Sequence, residues 1–138
     1  MTPHIEPRPL ILIIDDNEDH REMYMTFLRS SGFGVIGAPD GIIGIDQAQA
    51  VRPDVILMDL YMPGLNGWEA CRWLKTSVET ARIPVIALTA LEFEEAKLAA
   101  TEAGCARFIS KMNELDRVAQ AIREVLADET RSPRGPSC

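Results

Sequence analysis

Short runs of apolar, largely β-branched residues alternate along this chain with longer stretches whose apolar residues recur at helical spacing. Leu10-Ile11-Leu12-Ile13-Ile14 is the first run. A helix is predicted from about Glu18 to Ser31, with Met23, Phe27 and Leu28 on one face and Gly32 closing it. Gly34–Ala38 predicts a second strand, and Asp40 caps a helix to about Val51. Pro53 blocks its continuation, so Asp54–Met58 becomes the third strand. Asn66-Gly67 opens a helix carrying Trp68, Cys71 and Leu74 at helical spacing. Ile83–Leu88 is the fourth strand, with Pro84 tolerable near its start. A helix from about Glu92 to Ala103 ends at Gly104, and Phe108–Ser110 forms a short fifth strand. Leu115, Val118, Ile122 and Val125 mark the last helix.

This alternation predicts an α/β fold: five βα units with right-handed crossovers, hence a doubly wound parallel sheet covered on both faces. Such sheets bind ligands outside the carboxyl ends of their strands. The first strand ends in Asp15-Asp16, the third in Asp59, the fourth in Thr89 and the fifth in Lys111. Three carboxylates, a hydroxyl and an ammonium therefore share one sheet edge, a set suited to phosphoryl transfer. A carboxylate can attack phosphorus to give an acyl phosphate. The phosphoryl oxygens are anionic, so the attack needs cations nearby. Paired carboxylates suit a hard, oxygen-seeking ion such as Mg²⁺, Lys111 adds a point charge, and Thr89 can donate a hydrogen bond.

At 138 residues, with 46% hydrophobic and 25% charged residues, the chain is most simply one domain. A net charge of −7 argues against sequence-independent nucleic-acid binding. No apolar stretch is long enough to cross a membrane, and residues 1–9 contain no signal-peptide core. Cys71, Cys105 and Cys138 lack metal-ligand spacing and suit a reducing cytoplasm. Cys71 and Cys105 read as small packing residues, and Cys138 as the thiol most exposed to reaction.

Ile13-Ile14-Asp15-Asp16-Asn17, Met58-Asp59-Leu60-Tyr61-Met62-Pro63-Gly64-Leu65-Asn66-Gly67, Ala87-Leu88-Thr89-Ala90, Ala103-Gly104-Cys105-Ala106 and Phe108-Ile109-Ser110-Lys111 together resemble the CheY-like receiver domain of two-component response regulators. The resemblance implies a flavodoxin-like sheet of order 2-1-3-4-5 with five helices. It spans residues 10–126, leaving 1–9 as an N-terminal extension and 127–138 as a flexible tail, and implies a stand-alone receiver.

By that resemblance Asp59 is the phosphoacceptor, taking a phosphoryl group from a phosphohistidine on a sensor histidine kinase or a histidine phosphotransfer protein. Asp16, Asp59 and the Tyr61 carbonyl hold Mg²⁺ (or Mn²⁺), with Asp15 acting through water. Thr89 and Lys111 contact the phosphoryl oxygens, and Thr89 with Phe108 forms the switch. The fourth helix, fifth strand and fifth helix are the implied output surface. The function implied is a cytoplasmic phosphorelay switch that signals by binding an unnamed protein, not a turnover enzyme, with no direct nucleic-acid contact and no membrane insertion. Two alternatives stay open: a receiver-like scaffold without phosphorylation, and a phosphohydrolase with an aspartyl-phosphate intermediate. Those hydrolases carry a second Asp two residues after the nucleophile, where this chain has Tyr61.

The chain departs from the family pattern at several positions. Met112 follows Lys111 where receivers usually carry a cis proline, so that bond is trans, or cis at a cost of about 3 kcal/mol. Tyr61 and Leu91 flank the implied water path to the acyl phosphate and are bulky, which predicts slow self-dephosphorylation. Ile42 and Ile43 begin the second helix where polar residues are usual, and one is expected at the surface, either as an isolated apolar residue or as part of a docking patch. His20 lies on the first helix beside the site and reads as a solvated histidine.

Overall fold

The computed structural model describes residues 8–89, 94–110 and 115–131. Lys111, Met112, Leu91 and Cys138 lie outside the described residues. The elements are β1 (Leu10–Ile14), α1 (Glu18–Ser30), β2 (Gly34–Ala38), α2 (Gly41–Val51), β3 (Val55–Asp59), α3 (Gly67–Thr76), β4 (Val85–Thr89), α4 (Glu94–Glu102), β5 (Arg107–Ser110) and α5 (Leu115–Arg131). All five strands pair in parallel, in the order β2-β1-β3-β4-β5. This is the doubly wound sheet that the sequence predicts.

Side chains on successive strand residues point to opposite faces, and here both faces are covered. Ile11, Ile13, Val55, Leu57, Ile86 and Leu88 pack in one layer with Tyr24 and Leu28 of α1 and Val118, Ile122 and Val125 of α5. Leu12, Ile14, Ile56, Met58 and Val85 pack in the other with Ile45 and Ala48 of α2 and Ala70, Cys71 and Leu74 of α3. That double burial is why the central strands read as unbroken apolar runs.

Polar side chains fix where the helices start. The carboxamide oxygens of Asn17 and Asn66 and the carboxylate of Asp40 accept from the N–H groups of His20, Glu69 and Ile43 at 3.0, 3.0 and 2.8 Å. Each satisfies a donor with no partner within the helix, worth about 1 kcal/mol. Gly32, at φ +101°, closes α1 in a conformation that other L-residues rarely adopt.

Several boundaries differ from expectation. β3 runs to Asp59 because Asp59 still pairs with Leu88 in the ladder. Asp54 instead turns its carboxylate back to accept from the Leu10 N–H at 2.8 Å. β4 starts at Val85, since Pro84 has no N–H to give and contributes only its carbonyl, to Ile56 N at 3.0 Å. α1 buries Tyr24 and Leu28, one turn apart, so Met23 faces solvent rather than the core. Ile42 and Ile43 are both exposed. α5 continues to Arg131, past the boundary expected at residue 126. Among the described residues no helix is long and apolar enough to cross a membrane.

Candidate functional site

The polar residues of the site come from the places where parallel strands run out. Asp59, Thr89 and Ser110 are the last residues of β3, β4 and β5, and Asp15 directly follows β1. All four are buried, whereas Asp16 is exposed. Register brings them together: Asp59 pairs with Leu88, and Thr89 with Ser110. Ser110 was not singled out from the sequence as a site residue. Its position just before Lys111, on the strand beside Thr89, was the available signal.

The carboxylates of Asp15, Asp16 and Asp59 bring one oxygen each to within 4.8 Å of one another. Three anions this close, two of them buried, repel one another strongly in a medium of reduced dielectric. A divalent cation relieves that repulsion. The donor set is all hard oxygen, which fits magnesium and does not favour softer metals.

Backbone contacts hold the carboxylates in place. Asp15 Oδ1 accepts from the N–H of Asn17 at 2.9 Å, and Arg21 Nη1 donates to the Asp15 carbonyl at 2.8 Å. Asp59 Oδ1 accepts from the N–H of Tyr61 at 3.1 Å, in a tight turn two residues long. Beyond that turn the Gly67 N–H donates to the Leu60 carbonyl at 3.0 Å, drawing the start of α3 against the end of β3. Only glycine fits there, because a Cβ on residue 67 would lie 2.6 Å from the Cα of Leu60.

Tyr61 is exposed beside Asp59, its ring in edge contact with Trp68. Phe108 is half-buried and packs with Trp68 and Cys105 against Leu60, Ala87 and Ala100. His20 is exposed on the first turn of α1. Of the residues predicted from the sequence, Asp15, Asp16, Asp59 and Thr89 share the sheet edge, and Tyr61 borders it. Phe108 sits two residues before the end of β5, and Lys111 is outside the described residues.

Known proteins share this arrangement. The family model of the response regulator receiver domain matches residues 11–123. The polar-differentiation response regulator DivK of Brucella anthropi is 34% identical over 118 residues, which cover 86% of this chain and 96% of that protein. The chemotaxis protein CheY4 of Vibrio cholerae superposes with a TM-score of 0.82 at 25% identity, covering 86% of this chain and 98% of that one. The receiver domain of a sensor histidine kinase from Pseudomonas aeruginosa PAO1 superposes with a TM-score of 0.81 at 28% identity, covering 88% of this chain and 99% of its own. That structure holds a magnesium ion coordinated in its active-site cleft. The strand order, the acidic cluster at the sheet edge and a family match over most of the chain agree, and this protein belongs to the response regulator receiver domains of two-component systems.

Proposed function

We propose that this receiver is a phosphorelay switch in which Asp59 accepts a phosphoryl group from a phosphohistidine on a sensor histidine kinase or a histidine phosphotransfer protein. The observation that carries the proposal is the gathering of the Asp15, Asp16 and Asp59 oxygens within 4.8 Å at the end of β3. An oxygen of Asp59 attacks phosphorus, the phosphorus–nitrogen bond breaks, and the imidazole departs with its proton. The hydrogen bond from the Tyr61 N–H to Oδ1 holds the carboxylate in place for the attack.

Asp16, Asp59 and the Tyr61 carbonyl would hold Mg²⁺ (or Mn²⁺), with Asp15 acting through water. The bound cation supplies positive charge that neutralises the incoming phosphoryl oxygens. Thr89 donates to a phosphoryl oxygen and Lys111 pairs with another. Movement of the Thr89 hydroxyl toward the phosphoryl group opens space for the Phe108 ring, and the two conformations of the α4–β5–α5 face differ in affinity for a downstream protein. The ligand shifts a population rather than building a new fold. The setting proposed is the cytoplasm. The protein is proposed as a switch rather than a turnover enzyme because Tyr61 stands where aspartyl-phosphate hydrolases carry a second acid.

Incubation with acetyl phosphate or phosphoramidate and Mg²⁺, followed by intact mass measurement, tests the reading. One added phosphoryl group is expected, lost in Asp59→Asn and in the presence of a chelator. A chain that folds normally yet gains no mass would instead be a binding scaffold.

A further inference from the structure

The phosphoryl chemistry uses no sulfur, yet two of the chain's three cysteines meet inside it. Cys71 lies in the middle of α3 and Cys105 in the turn between α4 and β5, 34 residues further on. The Cys105 thiol points at Cys71 Sγ across 3.4 Å, and the Cys71 thiol donates to the Ala103 carbonyl at 3.3 Å. We propose that Cys71 and Cys105 are a modification site, closing into a reversible intramolecular disulfide when the protein meets a peroxide.

Geometry favours closure within the chain. A disulfide has a sulfur–sulfur bond of about 2.05 Å, so the pair must approach by roughly 1.4 Å, within reach of side-chain rotation. The turn bearing Cys105 is pinned on both sides, by Cys105 N–H to the Ala100 carbonyl at 3.0 Å and Ala106 N–H to the Val85 carbonyl at 2.7 Å. The backbone thus holds the two sulfurs together instead of letting them drift apart. Cys71 is buried, but Cys105 is half-buried, which gives a small oxidant an approach.

The surroundings favour a thiolate. The Cys105 S–H lowers the Cys71 thiol pKa most, against the opposing effect of burial, and the Lys75 and Arg72 cations add to the lowering. The same hydrogen bond and burial push the Cys105 thiol up, so of the two Cys71 is the one biased toward the thiolate. Lys75 is held in place one turn beyond Cys71, its ammonium on the carbonyls of Ala81 and Ile83 at 3.2 and 2.6 Å.

In the reaction, a thiolate of the pair attacks one peroxide oxygen, the oxygen–oxygen bond breaks, and a sulfenic acid forms while the departing hydroxide takes up the proton lost by the thiol and leaves as water. The partner thiol then attacks that sulfur, the disulfide forms, and a second water leaves. The thiols lose two electrons and the peroxide gains them. The product joins α3 to the turn before β5, where Cys105, Trp68 and Phe108 each pack against the cluster of Leu60, Ala87 and Ala100.

The test is hydrogen peroxide treatment of the full chain, alongside Cys138→Ser, followed by alkylation of the denatured protein with N-ethylmaleimide, intact mass and peptide mapping. The expected result is a monomer lacking two hydrogens. One cysteine is labelled in the parent and none in Cys138→Ser, a single cross-linked peptide joins Cys71 to Cys105, and dithiothreitol restores every label. Full labelling after oxidation, a sulfinic or sulfonic acid at either residue, or a bridge to Cys138 or to a second molecule would overturn the proposal. Because mapping is done on the parent chain, the test does not depend on a Cys71 or Cys105 variant folding.

Discussion

The indole of Trp68 stands edge-on to the ring of Tyr61, with centroids 4.9 Å apart and planes at 88°. The backbone N–H of Tyr61 is the group that holds Asp59 Oδ1. The indole Nε1–H is buried and has no hydrogen-bond partner among the described residues. Trp68 is therefore coupled through one aromatic contact to the turn that carries the Asp59 carboxylate.

That coupling makes Trp68 emission a reporter of the site. Trp73 is exposed on the same helix, so Trp73→Phe leaves the signal to Trp68. Titration with Mg²⁺ is expected to change the emission to saturation, and Asp16→Ala to weaken the apparent affinity by about tenfold, since one of the three clustered carboxylates is lost. A titration that is flat, or unmoved by Asp16→Ala, would separate the acidic cluster from cation binding.

Gly67→Ala tests the close approach between α3 and β3. The new Cβ meets the Leu60 backbone, which cannot yield as a flexible side chain would. A loss of about 1–3 kcal/mol in urea unfolding is expected. Slower uptake from acetyl phosphate should accompany it, because the helix is pushed away from the strand end bearing Asp59.

The slow self-dephosphorylation expected from Tyr61 and Leu91 is tested by replacing both. Replacing both in Tyr61→Asn with Leu91→Glu opens the approach to the acyl phosphate and supplies groups that can orient water. Loss of phosphate, followed by mass or by radiolabel, should accelerate by roughly tenfold or more. An unchanged lifetime would show that these side chains do not limit water access.

Lys75→Met removes an ammonium from two carbonyls, one of them at 2.6 Å. Bonds of this charged kind are worth about 1.5–3 kcal/mol, and a stability loss of that size should appear in urea unfolding. The sign of the pH effect also follows. Lys75 lowers the Cys71 thiol pKa, so its removal favours the protonated thiol. The pH profile of peroxide oxidation should move to higher pH in this variant.

The sheet was legible in the sequence because buried parallel strands must be apolar on both faces, and each run ended in a turn or a polar residue. The same reasoning placed Asp15, Asp59 and Thr89 together at one edge, since a parallel sheet puts every strand end on that side. Side-chain direction around a helix was less legible: Met23 and Tyr24 are adjacent, and only packing against Leu28 and β1 decides which turns inward. The approach of Cys71 to Cys105 left no local trace, because it depends on how α3 sits against a turn far along the chain. Ser110 was legible only through its place just before Lys111, because its pairing with Thr89 comes from another strand.

The final residues of the strands are clamped by the ladder, while Glu18, Asp19, His20, Glu22 and Met23 on α1 face water with no part in that scaffold. The strand-end edge and the outward surface of α1 are thus written in separable stretches of the polypeptide. An engineer could repaint the outward side of α1 while the strand-end edge stays as it is.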